Sequence, residues 1–154
     1  MATLMVLIAI GTFGLGMWVS GVGPEPYLVV DAIIPVVVVP AALVMIGVSP
    51  SRFASAFRIA VRPGETRSDE LAAARNVLRG FSRMVGISVA LFVSIGVIAI
   101  IHDLPTSGIH PLTALLTGGG TLIVDVLYAL ILQALVIQPL MLRLDLAILG
   151  SRSE

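Results

Sequence analysis

Apolar residues along this chain gather into four long runs separated by short polar stretches. The runs cover residues 2–22, 28–48, 85–101 and 112–142. Each can cross roughly 30 Å of hydrocarbon as a helix. Helix is the expected form, because barrel strands would alternate apolar with polar residues and these runs do not. The last run has 31 residues, about 46 Å as a helix, so it is expected to project beyond the membrane. The first run lacks a basic leading segment and exceeds a signal-peptide core, so it reads as a retained span.

The pattern changes in the connection 49–84. In SRFASAFRIAVR, Phe53, Phe57 and Val61 recur every four residues, with Arg52, Arg58 and Arg62 off that line. This predicts an amphipathic helix continuing the second span. Pro63-Gly64 then breaks the chain. Ser68 is placed to cap a new helix, with Asp69 and Glu70 in its first turn. Leu71, Ala74, Leu78 and Phe81 form one stripe, and nothing stops that helix before the third span. The expectation is an all-α membrane protein of one domain, 1–154. It has four transmembrane helices and a short helical stalk built from extended helices 2, 3 and 4.

Composition agrees with this pattern. The chain is 58% hydrophobic and 12% charged, against about 25% charged in soluble domains. All nine basic residues are Arg, and seven of them lie between spans two and three. These are Arg52, Arg58, Arg62, Arg67, Arg75, Arg79 and Arg83; Arg143 and Arg152 follow span four. The positive-inside rule puts that loop and both termini in the cytoplasm. The arginines orient the chain and meet lipid headgroups or water, while Arg75, Arg79 and Arg83 are candidate contacts for a cytoplasmic partner. Net charge is zero, which gives no reason to expect nucleic acid. Cysteine is absent, which excludes disulfides and thiolate metal sites.

The fourth span carries the candidate chemistry. On a helix, Thr113, Thr117, Thr121, Asp125 and Tyr128 fall within about 120° of arc, with Gln133 and Gln138 off it. Lipid does not tolerate an ionised Asp125, since the cost at mid-bilayer is roughly 2.5–3.5 kcal/mol on insertion scales. Asp125 therefore faces protein or water. Aligned with hydroxyls, it can serve a proton or cation path. As a neutral acid it can instead hydrogen-bond a neighbouring helix as polar glue. No span contains a basic residue to pair with it.

Other features weigh less. Thr12, Gly16 and Ser20 make a small-residue ridge suited to helix packing. Pro35 and Pro40 in span two, and Pro139 in span four, are candidate kinks or hinges. Asp31 lies near the outer end of span two. His102, Asp103 and His110 share the outer loop but do not by themselves make a metal site. No nucleophile elbow, phosphate loop or metalloprotease motif is present, so an enzyme is not expected.

Two stretches resemble a known family. VDVLYALILQALVIQPLMLRL is similar to the last membrane helix of MotA, the ion-channel subunit of flagellar stators, which reads like TTxYGLLLANLxxxPxxxKL. Tyr128, Ala129, Leu130, Ile131, Leu132 and Pro139 fall at matching intervals, and Arg143-Leu144 stands for the closing basic-Leu pair. VVDAIIPVVVVPAALVMIGVSPSRFASAFRIA resembles MotA's second helix and the amphipathic stretch after it. Asp31 matches an acid that often opens that helix. GVIAIIHDLP, around Gly96 and Asp103, resembles part of the third helix.

The wider MotA/TolQ/ExbB superfamily also contains three-span members, and four spans point to the MotA branch. The resemblance implies a pentamer around a dimer of a single-span MotB-like or ExbD-like partner, driven by a proton or sodium gradient in the bacterial inner membrane, with no other cofactor. It also implies that span four faces that partner and that hydroxyls of helices three and four line the path. The departures are specific. If Tyr128 and Pro139 set the register, the family's paired Thr falls at Asp125 and Val126, and the third-helix hydroxyl at Val93, with Ser94 adjacent. A second register matches ALLT, 114–117, but displaces Pro139 by about eight residues. The family's large rotor-engaging domain is replaced by a connection of about 35 residues, which fits an output other than direct flagellar torque.

The expected function is thus a minimal MotA-like channel subunit, with Asp125, Thr121, Thr117, Tyr128, Thr113 and Ser94 along the ion path. The alternatives are a small transporter needing no partner and a non-conducting scaffold that recruits one through its Arg-rich stalk.

Overall fold

A computed structural model describes residues 33–103 and 110–151. The first run, the ridge Thr12–Gly16–Ser20, Asp31, residues 104–109 and Arg152 lie outside the described residues. Among the described residues the protein is all-helical. Two helices are long and apolar enough to cross a membrane, or three if the bent pair Ile34–Gly47 and Pro50–Val61 counts as one span. The protein is a helical membrane protein on that ground.

The described part of the second apolar run opens with a wide π turn, Ile34–Val38, that leads into α1, Val39–Gly47. Its cause is Pro40. Proline offers no N–H, and its ring crowds the carbonyl four residues back. The residue just before it, Val39, instead donates to the Ile34 carbonyl five residues back. Span four repeats the device. The residue before Pro139, Gln138, donates to the Gln133 carbonyl, closing a second π segment, Leu132–Ile137. The prolines thus widen a turn at each site without ending the helix.

The amphipathic stretch forms α2, Pro50–Val61. It is not the straight continuation expected of it. The chain turns by 112° between Gly47 and Pro50. Val48 is extended, and Ser49 caps α2 by accepting from the Arg52 N–H at 3.4 Å, with Pro50 in the first turn. A cap followed by proline starts a helix afresh. The second run therefore does not continue straight, and α2 packs instead across the helices that follow it. The packed face of α2 also differs. Ala56 and Ala60 are buried, whereas Val61 is 53% exposed. Phe53 and Phe57 do pack, edge to face with Phe81, at centroid distances of 5.4 and 5.9 Å.

A short 3₁₀ turn, Pro63–Glu65, marks the break expected at Pro63-Gly64. Then α3 runs without interruption over Ser68–Asp103. Ser68 already belongs to the helix, and its first bond runs from the Leu71 N–H to the Arg67 carbonyl at 3.1 Å. At 36 residues, α3 is about 54 Å long and exceeds the hydrocarbon thickness. The stripe Leu71, Ala74, Leu78 and Phe81 is buried throughout.

The fourth apolar run forms α4, Pro111–Ile131, and the π segment, and continues into α5, Gln138–Gly150. It returns antiparallel to α3. The register is set by Arg75 with Asp145, Ser82 with Gln133, and the close passage of Gly96 by Leu122 and Gly118 by Ile100. The core sits toward the Arg-rich end, where Leu71, Leu78, Ala60 and Leu144 meet.

Candidate functional site

Asp125 lies near the middle of span four and is 8% exposed. Ala129, one turn on, is buried with Val85 and Val89 of α3 and with Val36 of the first π turn. Asp125 shares that inward face of α4. The residue that sequence marks as intolerable to lipid is thus kept from lipid by the chain's own helices.

The hydroxyl stripe does not share one environment. Thr113 and Thr121 are exposed, and Tyr128 is half-buried. The Thr117 side chain lies outside those described. Thr121, Asp125 and Tyr128 each have an interaction partner. At 100° per residue, Thr113 and Asp125 differ by about 120°, which carries the stripe from the surface to the packed face. It therefore forms the margin of a helix contact, leading from Asp125 outward to a face that no described part of the chain covers.

Ser94 stands apart from Asp125's burial. It is exposed, and its hydroxyl donates to the Ala90 carbonyl of its own helix at 2.8 Å. The buried hydroxyl of α3 is Ser88 instead, 2% exposed and without a hydrogen-bond partner. Sequence reading passed over Ser88. The signal was its position seven residues, two turns, past Phe81 on the line of the stripe Leu71, Ala74, Leu78 and Phe81.

Two further pairs lie below Asp125. The Ser82 hydroxyl donates to Gln133 Oε1 at 2.8 Å, and Gln133 Nε2 donates to the Ser82 carbonyl at 2.8 Å. Gln133, off the polar arc, thereby locks α3 to the π segment. Arg75 pairs with Asp145 of α5, with Nη2 donating to Oδ2 at 3.2 Å. Of the three arginines expected to meet a partner, Arg75 thus bonds within the chain, while Arg79 and Arg83 are exposed.

Pro35 and Pro40 are buried, and Pro139 is half-buried. Ile33, Val36 and Val37 face Tyr128, Ile131 and Leu132 across an apolar cavity of about 200 Å³. Both wide turns therefore border one space beside Tyr128. His110 caps α4, its Nδ1 accepting from the Leu112 N–H at 3.3 Å. Among the described residues no cluster of His, Asp or Glu is placed to hold a metal.

Compared with protein-family models, curated proteins and solved structures, the chain matches none.

Proposed function

We propose that this chain is the channel-type subunit of an ion-driven complex in the bacterial inner membrane, similar to a MotA subunit reduced to its membrane helices and a short stalk. Several copies, five by the resemblance, surround a dimer of a single-span partner. The cytoplasmic side is the Arg-rich end, and the driving ion is a proton or sodium. The observation that carries this reading is Asp125, buried at mid-span where the hydroxyl margin of α4 turns from exposed to packed. A carboxyl in that place can take an ion from an acid on a helix docked at the open face and return it. Thr121 lies one turn toward the outer end and Tyr128 one turn toward the inner end of that route.

Asn separates this role from polar glue, because it keeps the shape and hydrogen-bonding capacity but cannot exchange a proton. Asp125→Asn is expected to abolish proton- or sodium-driven flux through the complex in membrane vesicles while leaving the assembled complex intact. Asp125→Glu is expected to retain part of it. Unchanged flux in the Asn variant would remove the proposal. Native mass spectrometry of the complex released from its own membrane is expected to show five copies with two of a single-span protein. A lone monomer with no partner would equally remove it.

A further inference from the structure

The far end of span four carries an apolar face that the fold does not use. On α5, Ile137 and Leu144 are fully buried against the chain's own core. Leu142, Leu146 and Leu149 lie about 120–180° around the same helix and are 60%, 61% and 63% exposed. Their spacing is four and three, the interval at which helices pack along a seam.

Lipid is not the natural cover for these leucines. Arg143 and Asp145 share their level on α5, and Asp145 pairs with Arg75 of α3. Arg79, one turn further along α3, is exposed. A level that presents several charges lies outside the hydrocarbon. Three leucines exposed to water there cost free energy until another surface covers them.

The flanks of the stripe indicate which surface. Arg143 lies on one side of it and Asp145 on the other, at about 240° and 80° on the same scale. Copies of this helix set parallel around a rotation axis bring the Arg143 edge of one against the Asp145 edge of the next. The Asp145 carboxylate can accept from a second donor besides Arg75. The leucines then meet leucines and need no foreign complement.

We propose that the Leu142–Leu146–Leu149 face of α5 is a self-association seam, by which copies of this chain meet in parallel beyond the membrane. The seam deepens the reading above, since it names how the subunits of such a complex touch. It requires no ion flow, so it can stand if conduction fails.

The chain has no cysteine of its own, which makes disulfide trapping clean. Leu142→Cys, Leu146→Cys and Leu149→Cys, oxidised singly in native membranes, are expected to give covalent dimers of the full chain. Ala72→Cys, exposed near the same level on α3, is expected to give few. Adding Arg143→Glu to Leu146→Cys is expected to lower the dimer yield by about threefold. The seam is overturned if Ala72→Cys dimerises equally well. It is also overturned if the leucine positions form no dimers and resist a water-soluble maleimide, which would mean that lipid covers them. Trapping of a different protein in place of a second copy would overturn it as well.

Discussion

The two halves of α3 solve the same problem in opposite ways. From Leu71 to Val89 it buries a residue at nearly every turn, against α2, α5 and the first π turn. Beyond Val89 no described α3 side chain is buried, and Ile95, Ile98 and Ile101 stand 58–66% exposed. The first half sets Arg75, Asn76, Arg79 and Arg83 among its apolar residues, whereas 90–101 carries no charge at all. Where water surrounds the bundle, burial of Leu and Phe drives packing. Where lipid does, tails are as apolar as leucine and helices gain little by hiding side chains. Contact there rests on shape. A Cβ at Gly96 would collide with the Leu122 methyls, and one at Gly118 would lie 2.6 Å from Ile100 Cδ1. Each glycine admits a large residue of the other helix. Among the described side chains of α4, Asp125 is the buried one nearest Pro111.

The largest expected effect lies in the water-facing half. Leu78 is fully buried, so Leu78→Ala is expected to cost about 2–5 kcal/mol. Ile98→Ala, on the same helix but 66% exposed, is expected to cost far less. Unfolding of both variants in mixed micelles against increasing dodecyl sulfate measures the difference. Equal losses would break the contrast.

A smaller effect tests the shape argument in the lipid half. Gly118→Ala is expected to lose about 1 kcal/mol relative to Gly119→Ala, because only the first forces Ile100 aside. Gly119 has nothing within 4 Å of a new Cβ, and alanine there also favours the helix. The same titration compares them, and a Gly118→Ala variant as stable as Gly119→Ala would deny that the helices touch there.

The smallest effect is electrostatic. Arg75 and Asp145 are each more than one-third exposed, so their pair is screened and worth about 0–1 kcal/mol. Arg75→Ala is expected to shift the midpoint slightly at low salt and not at 1 M salt. A loss that persisted at high salt would show that the Arg75 stem packs more than it pairs.

Sequence alone determined the class of this protein and the inner side of its most patterned helix. Run lengths marked a membrane protein, with two or three helices among the described residues able to span, and three-four spacing marked Leu71, Ala74, Leu78 and Phe81 as a packed face. The Pro63-Gly64 break and the uninterrupted α3 follow from local rules as well. Asp125 announced itself because an acid in an apolar run must be sheltered. The turn after Gly47 had a local signal in Ser49-Pro50, but periodicity alone favoured a straight helix. Only tertiary structure decided which neighbour each helix face meets. Periodicity orients a face relative to its own axis, and in a span apolar all round it carries no direction at all. The pairing of Ser82 with Gln133 and of Arg75 with Asp145, the burial of Ser88, and the division of the hydroxyl stripe between inside and outside depend on the azimuth and register of two antiparallel helices. Those are settled by the fit of glycines against large side chains across the contact, Gly96 against Leu122 and Gly118 against Ile100, a relation between residues far apart in the chain.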